Sequence, residues 1–189
     1  SCGLLGVVLT RSSNPKAGIV RVVKLKGAPF MEVVYVPKGR VTTEGSPVLN
    51  ATADAYWIGK YEVTNRQFLS FVDETGFVTT AEREGHGGTV RALMNLTISG
   101  VSWKQPFPRV RDGGLPYTPL EERWDEPVTM VSWEDATAFC EWLSRATGER
   151  FSLPTEAQWD RAADGVPNTP KTWPHQMEEV GLEGLPPQV

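Results

Sequence analysis

The segment at residues 151–163 constrains the fold of this chain more than any other stretch. It reads Phe-Ser-Leu-Pro-Thr-Glu-Ala-Gln-Trp-Asp-Arg-Ala-Ala, which predicts a short extended run, a turn at the proline and then a helix. Thr155 and Gln158 have the spacing of a capping box, in which each side chain accepts a hydrogen bond from a backbone N–H at the helix start. Trp159 and Ala162 then share one face of the helix, which predicts that a large ring fixes it to the core.

Two more helices are predicted from the same signal. Thr64 with Gln67, and Ser132 with Asp135, have the capping-box spacing. A glycine follows each predicted helix, as is common after a helix end. Apolar side chains recur on one face of both helices, which predicts that they pack on a core. These side chains are Phe68, Phe71 and Val72 in the first helix, and Ala136, Phe139, Cys140 and Leu143 in the second.

The extended segments lie mainly in the first third of the chain. Residues 19–26 alternate apolar and basic side chains and predict an edge strand, residues 31–36 predict a second strand, and residues 56–61 a third. Residues 40–55 are predicted to form a loop, and residues 77–126 a long connection. The expected anchors of that connection are Trp103, Phe107 and Trp124.

Composition narrows the class of protein. The chain has 189 residues, a net charge of −4 and no basic block, so nucleic acid is not an expected partner. Its two cysteines, Cys2 and Cys140, do not form a disulfide scaffold, and His86 and His175 do not lie at zinc-ligand spacing. Cys140 lies within a predicted helix among apolar neighbours, so a buried structural thiol is expected.

Three regions are distinguished along the chain. Residues 1–18 are interpreted as a leader or anchor segment, in which Cys2 would carry an acyl group; a first β-strand or a disordered leader is the open alternative. Residues 19–165 form the domain. Residues 166–189 are a divergent tail whose prolines argue against a long helix or a central strand.

Several motifs in order resemble one known family. They are Tyr-Trp-Ile-Gly-Lys-Tyr-Glu-Val-Thr-Asn at 56–65, Gly-Val-Ser-Trp-Lys at 100–104, Val-Ser-Trp-Glu-Asp-Ala at 131–136 and Leu-Pro-Thr-Glu-Ala-Gln-Trp at 153–159. Together they resemble the formylglycine-generating enzyme family, also called the sulfatase-modifying factor family, over residues 31–163. The resemblance implies a loop-rich α+β fold of the C-type-lectin-like kind, of which the C-terminal half is not recognised in this sequence.

The same resemblance implies little chemistry in this chain. Family members continue with a Tyr-Pro-Trp-Gly-type turn and with Gly-Asn-Val-Trp-Glu-Trp, Arg-Gly-Gly-Ser-Trp and Gly-Phe-Arg segments, none of which occurs here. The copper-binding cysteines and most calcium ligands of the oxidase members lie in that part. We therefore predict no catalytic, cofactor-binding or metal-binding residues; copper is not expected, and calcium stays open. Cys140 is matched to a structural helix position.

Other candidate groups have a plain structural interpretation beside the functional one. The carboxylates at 121–122, 125–126, 134–135 and 178–179 could form a hard-cation site, but we expect helix-start and solvent-exposed charges. Five tryptophans could stack on sugars, but we expect core positions; they are Trp103, Trp124, Trp133, Trp142 and Trp159. A cationic patch of Lys104, Arg109 and Arg111, and the sequons at Asn50 and Asn95, complete the candidates.

Three functions remain open. The chain contains the family motifs that build the fold but not those that carry the copper chemistry, which favours a non-catalytic binding or structural module. We expect such a module to be a subunit of an exported assembly in the cell envelope or outside the cell. In the resembled fold the first and last strands pair, so an unpaired sheet edge predicts a protein partner that completes the fold or the assembly. Membrane contact is expected only through an anchor at Cys2. The alternatives are a formylglycine-generating enzyme whose catalytic half is on another chain, and a lectin-like sugar-binding module.

Overall fold

The computed structural model describes residues 6–10, 15–25, 29–42, 48–91, 94–106 and 119–164. Within them, helices and strands alternate irregularly, which confirms an α+β class. The strands are β1 (Val8–Thr10), β2 (Val20–Val23), β3 (Met31–Val36), β4 (Gly39–Arg40), β5 (Thr52–Ala53), β6 (Tyr56–Gly59), β7 (His86–Arg91), β8 (Met94–Ser99) and β9 (Arg150–Ser152). The helices are α1 (Asn65–Thr75), α2 (Thr80–Glu84), α3 (Trp133–Thr147) and α4 (Glu156–Ala163), with a 3-10 turn at Leu120–Glu122.

A five-stranded antiparallel sheet organises these elements, in the order β2-β3-β6-β1-β9. Val8 of β1 lies between Ile58 of β6 and Ser152 of β9. The segment at 1–18, interpreted from sequence as a leader, therefore contributes a strand inside the sheet, and the open alternative of a first strand holds for Val8–Thr10. The physical reason is that both faces of this sheet are covered, so that Val8 is buried in one apolar cluster and Leu9 in the other.

The two faces of the sheet bury different apolar clusters. Alternate residues of β3 divide between them, with Val33 and Tyr35 on one side and Val36 on the other. The larger cluster joins the sheet to α1 and α3, and its centre is a set of rings packed 5.2–5.8 Å apart: Phe68, Phe71, Trp103, Phe139 and Trp142. The smaller cluster contains Val8, Tyr56 and Ile58, with Ala162 of α4 packed against it.

The predicted helix starts are confirmed. Each of α1, α3 and α4 begins with a complete capping box, on Thr64, Ser132 and Thr155. Gly76 and Gly148 end α1 and α3 in the left-handed conformation, at φ 65° and 71°, which glycine adopts without a steric penalty. Local sequence therefore sets where these helices begin and stop.

The strands and the long connection need corrections. The strand predicted at 19–26 is shorter and spans Val20–Val23, although it does lie at an edge of the described sheet. The loop predicted at 40–55 includes β5, which pairs with β4. The connection at 77–126 contains α2 and the β7–β8 hairpin, because the Gly-Gly pair within β7 hid its strand pattern.

The expected anchors of that connection are partly confirmed. Trp103 is fully buried, and Trp124 is partly buried against the larger cluster. Phe107 lies outside the described residues, as does the tail at 166–189. No helix in the described part of the chain is long and apolar enough to cross a membrane.

Candidate functional site

Cys140 is the cysteine that the structure describes, and it belongs to the core. Its side chain is 2% exposed in α3, within the larger apolar cluster. Burial, with a smaller effect from the neighbouring Glu141 carboxylate, raises the pKa of the Cys140 thiol to about 12. Because the thiolate is the form that attacks as a nucleophile and binds metals, burial that disfavours the thiolate makes Cys140 poorly suited to either role. The expectation of a buried structural thiol is confirmed, whereas Cys2 lies outside the described residues.

The carboxylates at 134–135 serve the helix start. Asp135 is 0% exposed and accepts hydrogen bonds from the backbone N–H of Ser132 at 2.8 Å and from the backbone N–H of Thr80 at 2.9 Å. One carboxylate therefore caps α3 and also ties the start of α2 to it. Hydrogen bonds from its own backbone N–H and from Ser132 lower the pKa of Glu134. These side chains already have partners that explain their positions.

The carboxylates at 125–126 are engaged in ion pairs. Asp125 lies 3.4 Å from the Nε of Arg66, and Glu126 lies 3.8 Å from Arg123. Glu121 and Glu122 lie in the exposed 3-10 turn. Within the described residues, no three histidine, cysteine or acidic side chains come together as a metal site. The described residues therefore bring together no set of thiolates that would suit copper.

His86 lies at the start of β7, apart from Cys140. Its Nε2 is 3.7 Å from a carboxylate oxygen of Glu84, and both line a cleft of about 240 Å³ between α2, β7 and the residues before α3. Cys140 does not line that cleft. The pair of a thiol and an activating base is therefore not formed by these two residues. His175 lies outside the described part.

The tryptophans divide into core and surface positions. Trp103 and Trp142 are 0% and 3% exposed, as the core interpretation expects. Trp133 does not fit that interpretation, because it is 69% exposed. It is the first residue of α3, where the helix start projects its side chain away from the buried stripe. Trp103 and Trp142 therefore pack in the core and are not available to stack on a sugar.

Lys104 has an ion-pair partner and an aromatic neighbour among the described residues. Its Nζ lies 2.9 Å from Glu82 and 5.3 Å from the centre of the Trp103 ring. Burial alone would raise the pKa of Glu82, but hydrogen bonds from Thr79 and Lys104 outweigh it and lower the pKa. Arg109 and Arg111, the other predicted members of an anion patch, lie outside the described residues.

The two sequons occupy different settings. Asn50 is exposed in a turn with φ 68°, and Thr52 begins β5. Asn95 lies on β8. An exposed turn is the setting in which N-glycosylation occurs on secreted proteins. Glycosylation at Asn50 therefore requires that the protein be exported by a secretory route that attaches N-glycans.

A second cleft, of about 300 Å³, was missed from sequence. It lies where β3 begins, where β6 leads into α1, and beside Asp125. Two rings on its rim, Phe30 and Tyr61, are 61% and 59% exposed. Phe30, Met31, Glu32, Tyr61, Glu62, Thr64, Gln67, Asp125 and Pro127 line it. We call it the Phe30–Tyr61 cleft. The sequence signal that could have indicated this cleft is Lys-Tyr-Glu at 60–62, where an aromatic residue lies between two charged residues at the end of a predicted strand.

Comparison with known proteins identifies the family of this domain. A family model described as the sulfatase-modifying factor enzyme 1-like domain matches residues 21–183. Formylglycine-generating enzyme from mouse (Mus musculus) is 29% identical over 191 residues, covering 92% of this chain and 47% of the mouse protein. Formylglycine-generating enzyme from Thermomonospora curvata is 35% identical over 130 residues, covering 63% of this chain and 40% of that protein.

One similar protein carries a different functional name. The mouse protein named inactive C-alpha-formylglycine-generating enzyme 2 is 35% identical over 153 residues, covering 76% of this chain and 47% of the mouse protein. The chain spans about half the length of the curated relatives it matches. The chain is therefore similar both to proteins named formylglycine-generating enzyme and to a protein named inactive.

Proposed function

Because the chain belongs to the sulfatase-modifying factor family, we propose that it is a non-catalytic binding or structural module of that family. The proposal includes the C-type-lectin-like form of the fold and a role as a subunit of an exported assembly in the cell envelope or outside the cell. It also includes a protein partner that completes the fold or the assembly. No cofactor is part of the proposed role.

The scaffold motifs without the chemistry motifs of the family carry this proposal, and the state of Cys140 is consistent with it. Oxidation of a substrate cysteine at copper requires thiolate ligands that reach the metal. Cys140 instead lies in the apolar cluster, 2% exposed, with a pKa of about 12. Moving it to a metal would open the core at α3, which holds Phe139 and Leu143 at 0% exposure. In the described residues, the thiol of this domain therefore serves packing.

The alternative function is formylglycine generation with the catalytic half on another chain. Two observations favour keeping it: relatives named formylglycine-generating enzyme match most of this chain, and the chain spans about half of their length. In that arrangement the present domain would position a partner that brings the copper ligands. The lectin-like alternative is weaker, because Trp103 and Trp142 are buried.

A turnover assay tests the proposal. The full chain is incubated with copper and a peptide that contains one cysteine, and formylglycine is identified by mass and by capture of its aldehyde with a hydrazide. We expect no product beyond that of copper alone. Turnover by the full chain that persists in the Cys140→Ala variant would overturn the non-catalytic role. Turnover lost in that variant would also overturn it and would contradict the structural assignment of Cys140.

A further inference from the structure

We propose that the Phe30–Tyr61 cleft binds a lysine side chain of a partner protein. The inference deepens the proposed binding role by naming the group that the domain recognises. It is carried by three observations: the exposed rings of the cleft, its excess of carboxylates, and the position of the chain's own Lys60 ammonium beside Glu32 and Tyr61, two of the lining residues.

The two rings project from backbone that is held in place. The side-chain Nε2 of Gln67 donates a hydrogen bond to the carbonyl oxygen of Phe30 at 3.0 Å. The backbone N–H of Lys60, beside Tyr61, donates to the carbonyl oxygen of Glu32 at 2.9 Å. Each ring nevertheless has more than half of its surface in water. Rigid, exposed aromatic rings are typical of surfaces that bind a partner, because they bury a large area at little cost in side-chain entropy.

The charges of the cleft favour a cation. Among the described residues that line it, Glu32, Glu62 and Asp125 carry carboxylates and none is a lysine or an arginine. Lys60 lies 2.8 Å from Glu32, and Arg66 lies 3.4 Å from Asp125, so these cations are already engaged. Glu62 has no such ion pair among the described residues and is the carboxylate left to meet an incoming charge.

The helix start beside the cleft does not offset this preference. Thr64 and Gln67 line the cleft, but each is engaged in the capping box of α1. The Gln67 Oε1 accepts from the backbone N–H of Thr64 at 3.0 Å, and the Thr64 Oγ1 accepts from that of Gln67 at 3.3 Å. The backbone N–H groups of Asn65 and Arg66 donate to the carbonyl oxygens of Glu126 and Trp124, so the N–H groups of the first turn that would attract an anion all have partners.

Lys60 shows which cation fits. Its Nζ lies 2.8 Å from a Glu32 carboxylate oxygen and 5.0 Å from the centre of the Tyr61 ring. Hydrogen bonds to Glu32 and to Tyr61 raise the pKa of Lys60. An ammonium group between a carboxylate and an aromatic face is a favourable cation–π arrangement. A second lysine would repeat it between Phe30, Tyr61 and Glu62.

A peptide titration tests this inference. The probe is the capped peptide Ala-Leu-Lys-Leu-Ala, and its control carries norleucine in place of lysine, which keeps the stem and removes the charge. Binding to the isotope-labelled full chain is followed by chemical-shift changes at the amides of Glu32, Tyr61 and Glu62. We expect millimolar binding of the lysine peptide alone, weakened when NaCl is raised from about 0.05 to 0.5 M.

Variants locate the binding. Tyr61→Ala and Glu62→Gln are each expected to weaken binding of the lysine peptide by about 2- to 30-fold, the range of a cation–π or exposed charge contact. Glu121→Gln, an exposed carboxylate outside the cleft, is the matched control and is expected to leave binding unchanged. Both cleft residues are on the surface, so the variants should stay folded.

The outcomes separate this inference from the proposed function. Equal binding of the norleucine peptide, no shift at millimolar peptide, or full binding by both cleft variants would overturn the lysine site and leave the non-catalytic role standing. Turnover in the oxidation assay would overturn the non-catalytic role and leave a demonstrated lysine site standing.

Discussion

The reactivity of Cys140 is set by its surroundings rather than by the intrinsic properties of a thiol. We predict that Cys140 does not react with a thiol reagent such as DTNB at pH 8 in the folded protein and reacts fully in denaturant. Its 2% exposure blocks the reagent, and its pKa of about 12 keeps the thiolate scarce. The measurement uses a Cys2→Ser variant, so that one thiol is counted. Rapid labelling of folded protein would contradict the core assignment.

The same residue predicts a pH dependence of stability. The pKa of Cys140 is raised from 9.0 to about 12 in the folded chain. The stability that comes from keeping the thiol neutral is therefore fully present below about pH 9 and is lost as the pH rises toward 12. Tyr56, whose pKa burial also raises from 10.0, adds to this loss.

Denaturant titrations between pH 8 and pH 11 measure that effect. We expect the free energy of unfolding to fall across this range in the unmodified chain, and to fall less steeply in Cys140→Ala. The variant Tyr56→Phe is the companion, since it removes the second group. Identical slopes in the unmodified chain and in both variants would show that neither buried group governs the loss.

At the scale of elements, the sequence predicted where the helices begin but not how strands that are distant in sequence pair. The starts of α1, α3 and α4 follow from Thr64, Ser132 and Thr155, because a capping box is local to four residues. The same signal at Thr79 and Glu82 marks α2 and was overlooked inside a segment interpreted as a loop. The place of β1 between β6 and β9 depends on residues far apart in sequence, so no local pattern predicts it.

The Asp135 carboxylate accepts hydrogen bonds at the starts of both α2 and α3, so its removal should destabilise both helices. We predict that Asp135→Ala lowers the free energy of unfolding by about 2–3 kcal/mol, because backbone N–H groups of Ser132 and Thr80 lose a buried, charged acceptor. Asp135→Asn, which keeps one oxygen, is expected to lose less. The measurement is equilibrium denaturation followed by tryptophan fluorescence.

The control for this prediction is Glu141→Gln on the exposed side of α3, where the carboxylate lies 3.9 Å from Arg145. Exposed ion pairs of this kind contribute little. If Asp135→Ala were no more destabilising than Glu141→Gln, the double cap would have no energetic role.

At the scale of the whole molecule, the sequence predicted the core better than the candidate site. Buried positions such as Phe68 and Phe139 follow from helical periodicity, whereas the Phe30–Tyr61 cleft brings together β3, the end of β6 and Asp125. Its members belong to separate segments, and each looks like an ordinary surface residue on its own. The exposure of Trp133 was missed for a related reason, since a tryptophan in a motif does not reveal which face of the helix it takes.

The central proposal is that this domain is a binding or structural module that catalyses no oxidation of cysteine. The most direct test is a single-turnover experiment in which the full chain, loaded with copper, is mixed with an equimolar cysteine peptide and the yield of formylglycine is measured by mass spectrometry. The account predicts a yield no greater than that of copper without protein, because the family's oxidase motifs are not recognised in this sequence and the cysteine that the structure describes lies in the apolar core. A yield approaching one product per chain, even if slow, would contradict it.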